Sequence, residues 1–458
     1  MDNDYKQDIS DITYGESLIG TDDDLAGIRF GAMSETPQAP IALLSSHSGS
    51  TPSSYDSLSL VMLSTVPDMH SEQDKSLLNH YMKVVAGVLS KCESRGSNPY
   101  LTKILPMALS NQLIMGALLA MSASHWKKLQ PAVWESGTKH KTNTLQSLAK
   151  LLPHLQMDSA NIALAATLML CMIELLDGTS SHWKYHLDGA RQLLFSIDRQ
   201  SEWRECGDLI AFYRGLYYYL DSATTISTCH PPLLETPKDT DLSSSEQSPQ
   251  HGIDDEEALY GVPKELFRFI DKVNGLAYQR KYRDDPVFEN MFRASADTLE
   301  KELEYWRQNY FDIINASQLE IQATSDEEAQ HATIAYEQAI QLRLHQVLNG
   351  YSLQHNKVQE CVSKILKAVQ EIRYGSPFEN CLVFPLTMAG SSCQSESDRL
   401  IIGDRFLVME RTVGFGYIYT AYDLVQRVWK QRDLCKGTVK DVNWAEIRYY
   451  QIPGLVLI

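Results

Sequence analysis

Asp284 and Asp285, with Glu289 shortly after them, form the clearest grouping in this chain that could do chemistry. Two or three carboxylates supply the oxygen ligands that Mg2+ prefers, and an ion held in that way can carry a diphosphate. Asp221 lies in the aromatic segment YRGLYYYLDSATT. It would add a carboxylate to an aromatic cavity, where cation–π contacts stabilise carbocations. Read together, Asp221, Asp284, Asp285 and Glu289 describe a Mg2+-dependent cyclase acting on a prenyl diphosphate. The plainer reading assigns them to structure. An Asp-Asp pair before Pro286 makes a natural cap and first-turn charge for a following helix, and Tyr217, Tyr218 and Tyr219 are ordinary packing residues.

His182 and His186, with Asp188 beyond them, have the helical spacing that puts two imidazoles on one face. Trp183 stands where a metalloprotease helix would carry its glutamate, so capping and packing are the preferred roles and no metal is expected. The eight cysteines are scattered. Without the closely spaced pairs of a zinc site they read as reduced, mostly buried thiols. There is no G-x-S-x-G elbow, no Walker loop and no G-x-G-x-x-G, so hydrolase, kinase and dinucleotide-dependent readings have no support.

These residues must be positioned by helices. Leu77, Leu78, Tyr81, Val84, Val85, Val88 and Leu89 recur every three or four positions, a helical stripe. Further helices are expected over about 110–128, 162–176, from near His182, 203–226, 263–282, 286–310, 326–350, 358–373 and 398–431, with a short one after Asn443. Pro153 and the Asp177-Gly178 pair supply stops, and Ser180 or Ser181 can cap the helix that follows. Alternating strand patterns are missing, so the expected fold is all-α, an irregular multi-helix bundle. The apolar run Ile162–Leu176 is too short for a bilayer span of ~20 residues and reads as a core helix; no membrane association or secretory leader is expected.

The net charge of −17 is concentrated in two places. Residues 1–70 hold eleven acids against two bases, and residues 229–258 hold eight acids against one. The remainder is close to neutral, so the concentrated positive face that phosphate backbones require is lacking. Residues 1–71 are expected to form a disordered, acidic, Ser/Pro-rich arm. Residues 72–458 should form the helical domain, interrupted by an acidic surface loop over 229–261. TDDDLAGIRF within the arm has the mixed acidic and apolar composition of segments that fold on a partner, although a solvated tail is the simpler reading.

Several stretches carry a resemblance. NPYLTKILPMALSNQLIMGALLAMSASHW, ALAATLMLCMIELLDG and HWKYHLDGARQLL are similar to the helical regulatory region of fungal zinc-cluster transcription factors. VFPLTMAG with the downstream Arg399, and VNWAEIRYYQIPGLVLI, extend the resemblance over about residues 72–458. It implies a nuclear regulator of a gene cluster that works through protein contacts or an effector pocket. The first cysteine is Cys92, so the family's six-cysteine module is not matched and no direct nucleic-acid contact by this chain is expected. DNA would be reached through a partner, such as a DNA-binding regulator. Homodimerisation is compatible with the family, although no heptad seam is visible. No cofactor is implied; Mg2+ and a cytoplasmic location belong to the cyclase alternative. Arg343, in AIQLRLHQVL, stands where the family often has an aromatic residue. It reads as a surface or snorkelling side chain, or as an anion partner at the rim of a cavity serving the cyclase reading with Asp221.

Overall fold

The computed structural model describes residues 71–91, 95–199, 207–230, 232–233, 258–317, 324–435 and 441–458. The acidic arm and most of the acidic loop therefore lie outside the described residues. Among the described residues every regular element is helical, in agreement with the all-α expectation.

The chain enters through α1 (Glu72–His80), whose first turn is capped by Ser71. A π-helical turn (Tyr81–Val85) leads into α2 (Ala86–Leu89). The wider turn keeps Tyr81, Val85 and Leu89 buried but releases Val84 from the expected stripe to the surface. A second π-helical turn (Tyr100–Ile104) feeds α3 (Leu105–Ser110). Asn111 caps α4 (Gln112–Trp126) by accepting from the Leu113 and Ile114 amides. There follow α5 (Ala132–Leu151), α6 (Met157–Asp177), α7 (Trp183–Arg199) and α8 (Gly207–Thr228). The second half holds α9 (Glu265–Gln279), α10 (Pro286–Ser317), α11 (Thr324–Asn349), α12 (Asn356–Gln370), α13 (Val383–Gly390), α14 (Glu396–Thr412), α15 (Gly416–Leu434) and α16 (Trp444–Gln451).

Two helices serve as axes. Helix α6 is buried from Ala163 to Leu176 and apolar there except for Thr167 and Glu174, with α4, α5, α7 and α8 around it. Its composition and length match a membrane span, yet most of that stretch is covered by protein, so it is a core helix. Helix α11 is the second axis, flanked by α9, α10, α12 and α13. Its buried face mixes Ala332, Ala335, Ala339, Ile340 and Val347 with Glu328, Glu337, Gln338, Arg343, His345 and Gln346.

Two segments differ from the sequence reading. The single helix expected over 398–431 is two, because Gly414 adopts a left-handed φ of 73° and turns the chain between α14 and α15. VFPLTMAG, read only as a family motif, forms α13 after a 3-10 turn over Pro377–Leu382. The stop at Asp177-Gly178 is where it was expected, with Gly178 at φ 72° as the left-handed cap. A Cβ at Gly178 would meet the Tyr417 backbone at 2.7 Å, and one at Gly454 would meet the Thr179 carbonyl carbon at 2.3 Å. Three distant parts of the chain approach closely there, mostly through backbone.

A buried ionic network locks the second axis. The Arg405 guanidinium donates to the Ile372 and Arg373 carbonyls at 2.8 and 3.2 Å, and lies 3.1 Å from Glu379 Oε1. Thr412 donates to the other Glu379 oxygen. Glu328, on the first turns of α11, accepts from the Arg373 amide at 3.1 Å and the Ser376 hydroxyl at 2.8 Å. Burial pushes the Glu379 carboxyl up and the Arg405 guanidinium down from their ordinary values. Removing one partner from such a pair leaves a buried charge without compensation. Arg405→Met should therefore lose about 3–5 kcal/mol in urea unfolding, and the double change Arg405→Met with Glu379→Leu should recover much of it. A loss below about 1 kcal/mol for the single change would show that the pair does not hold the fold.

Candidate functional site

The end of α8, the last turns of α11 and the segment around α16 converge on one polar site inside an otherwise apolar seam. Cys229 follows α8 with a positive φ of 55°, the one such non-glycine residue among the described residues. Arg343, on α11, is 3% exposed. It donates from Nη1 to the Tyr351 hydroxyl at 3.2 Å and from Nη2 to Cys229 Sγ at 3.0 Å, while its Nε has no hydrogen-bond partner. The guanidinium stacks over the Trp444 ring at 5.1 Å, and Trp444 Nε1 donates to Gln346 Oε1 at 3.0 Å. Arg448 is 4% exposed and bonds only carbonyls, those of Pro453 and Leu455. Burial pushes it down to about 10. The tail it holds returns to α8, where the Leu457 amide donates to Ser227 Oγ at 3.0 Å.

Arg343 is therefore not a surface side chain. Its stem could not have revealed this, because amphipathic helices carry snorkelling and buried arginines at the same spacing. Cys229 and Arg448 were not singled out from sequence at all. The thiol sat among eight scattered cysteines, and Arg448 lay within a motif read for its apolar ending. Only the convergence of distant segments identifies them.

The other sequence candidates have structural partners. Asp285 caps α10, its Oδ1 accepting from the Val287 amide at 2.9 Å. Glu289 accepts from Arg283 at 2.7 and 2.9 Å and from Arg293 at 2.6 Å. Those hydrogen bonds, the Arg283 pair foremost, pull its carboxyl down to about 2. Asp284 is exposed in the turn before α10. Asp221 is buried on α8, accepting from the Tyr217 hydroxyl at 3.2 Å and the Leu233 amide at 3.0 Å. Among the described residues no three His, Cys, Asp or Glu side chains are grouped to hold a metal ion. The structure thus keeps Asp284, Asp285 and Glu289 together at one helix start and does not join Asp221 to them in such a group. His186 is half-buried, and burial lowers its imidazole below the ordinary value.

Beside Asp221 lies a carboxylate that sequence reading passed over. Asp271, on α9, accepts from Ser222 Oγ at 2.8 Å and Thr225 Oγ1 at 3.4 Å. Asn274 donates to the same threonine at 3.1 Å. An open groove of about 590 Å3 runs between α9 and α10, bordered by Lys272, Leu276, Thr298 and Glu302; neither Asp221 nor Arg343 borders it.

Comparison with known proteins bears on the whole body. A sequence model of the fungal-specific transcription factor domain matches residues 76–449. The chain belongs to that family. Over 135 residues it is 24% identical to sterol uptake control protein 2 of Candida albicans, an overlap covering 27% of this chain and 19% of that protein. The chain thus spans about a fifth of the length of that curated relative. No solved structure matches. The residues that carried the resemblance in the sequence are mostly core residues of α4, α6, α7, α13 and the C-terminal tail.

Burial, aided by the nearby Asp221 charge, pushes Asp271 up to about 7. The unfolded chain releases that proton near pH 3.8. Stability contributed by the protonated carboxyl is then present below that pH and is lost as pH rises through about 7. Asp271→Asn keeps the acceptor and removes the ionisation. Its stability relative to wild type should climb between about pH 4 and pH 7 and then level off, as read from urea midpoints at several pH values. A difference that does not change with pH would refute the assignment.

Proposed function

We propose that this chain is the regulatory body of a nuclear transcription regulator, and that it acts on transcription by contacting another protein that reaches DNA. The observation that carries this reading is the family match across residues 76–449. Charge placement supports the protein-mediated part, since the acids outnumber the bases and concentrate at residues 1–70 and 229–258, a poor match to phosphate backbones. The exposed apolar side chains Val287, Met291, Tyr305 and Ile313 along α10 give the body a surface of the kind that partners cover. The Candida albicans relative is named for control of sterol uptake; a lipid-linked gene set is accordingly the first class of target to examine.

The full chain fused to an unrelated DNA-binding domain should change transcription of a reporter carrying that domain's site, relative to the DNA-binding domain alone. A fluorescent fusion should accumulate in nuclei of a fungal host. Reporter output equal to the bare DNA-binding domain, with the fusion present at normal levels and inside the nucleus, would overturn the proposal.

A further inference from the structure

Among the described residues no carboxylate is bonded to the buried Arg343 guanidinium. Burying a cation without an anionic partner is expensive. Arg343 Nη2 donates to Cys229 Sγ at 3.0 Å. Arg343 retains an unpartnered Nε. Of the described cysteines, Cys171, Cys361, Cys381 and Cys393 are buried, whereas Cys229 and Cys435 are partly exposed. Cys229 is thus a partly exposed residue whose sulfur accepts from a buried guanidinium.

We propose that Cys229 is a modification site for hydroperoxides, with Arg343 as the group that promotes its oxidation. In the step, Cys229–SH and ROOH give Cys229–SOH and ROH. The S–O bond forms as the O–O bond breaks, and the thiol proton ends on the departing oxygen. Sulfur gives up two electrons, which the peroxide oxygens take up. Negative charge develops on the departing oxygen as the O–O bond opens, and a guanidinium N–H beside the sulfur stabilises it. Arg343 Nη2, which donates to the sulfur at 3.0 Å, is the guanidinium N–H beside that oxygen. This goes beyond the regulator assignment and holds or fails separately from it.

The test uses the full chain, reduced and then exposed to hydrogen peroxide with dimedone present, followed by peptide mass spectrometry. Cys435 is the internal reference thiol. Cys229 should be trapped as the sulfenic acid about tenfold faster than Cys435, the rate change given by one added charge-assisted hydrogen bond. In urea-unfolded chain the two should react alike. Arg343→Gln should slow Cys229 by about tenfold with Cys435 unchanged, and Arg343→Lys should keep part of the advantage. Should Arg343→Gln not fold, the native-to-unfolded comparison in wild type decides alone. Equal rates for Cys229 and Cys435 in the native chain would overturn the proposal, as would a Cys229 advantage that persists in urea.

Discussion

The second half of the molecule depends on answering the polar side chains that α11 carries into the core. A helix buried on most of its circumference ordinarily bears apolar residues nearly throughout, as α6 does apart from Thr167 and Glu174. Helix α11 instead buries Glu328, Glu337, Gln338, Arg343, His345 and Gln346, and a buried polar group is tolerated only when it is bonded. Glu337, Gln338 and His345 are bonded within the helix, and the other three recruit other parts of the chain. Glu328 is met by Arg373 and Ser376, and Gln346 by Trp444 and Ser392. Arg343 is met by Tyr351, Cys229 and the Trp444 ring. The positions of α13, α14 and α16 follow from these partners as much as from apolar area.

That dependence sets how much could be read in advance. Helix existence was legible wherever apolar spacing and stop residues agreed, as at α4, α6 and α7. It failed at Gly414, where a helical pattern continues on both sides of a left-handed turn that sequence spacing cannot reveal. The π-helical turn at Tyr81–Val85 likewise moved Val84 to the surface although its spacing was correct. Site chemistry was less legible, for a related reason. The N-cap role of Asp285 is local and could be read. The arginine partners of Glu289 are nearby but have no fixed pattern. The Cys229–Arg343–Trp444 grouping spans three distant segments, and nothing in any one of them announces the others.

The family assignment and the site geometry answer different questions. The match over residues 76–449 rests on residues that pack helices together, and packing residues specify a fold more tightly than an activity. Asp221 and Asp271 on the α8–α9 seam, and Cys229 with the Arg343 guanidinium at the end of α8, belong to this chain's own polar interior. The same helix supplies both groups, so a change in either carboxylate or thiol acts on the seam that also receives the C-terminal tail through Ser227.

The backbone junction at Gly178, Tyr417 and Gly454 has a kinetic side. Three segments far apart in sequence meet there mostly through backbone. Such a contact forms only after long loops have closed, which makes it a late and slow event in folding. Once formed, it ties the end of α6, the start of α15 and the tail into one cooperative unit, so none of the three can fray without disturbing the others. Amide protons near this junction belong with the slowest exchanging in the molecule, opening only when the domain does.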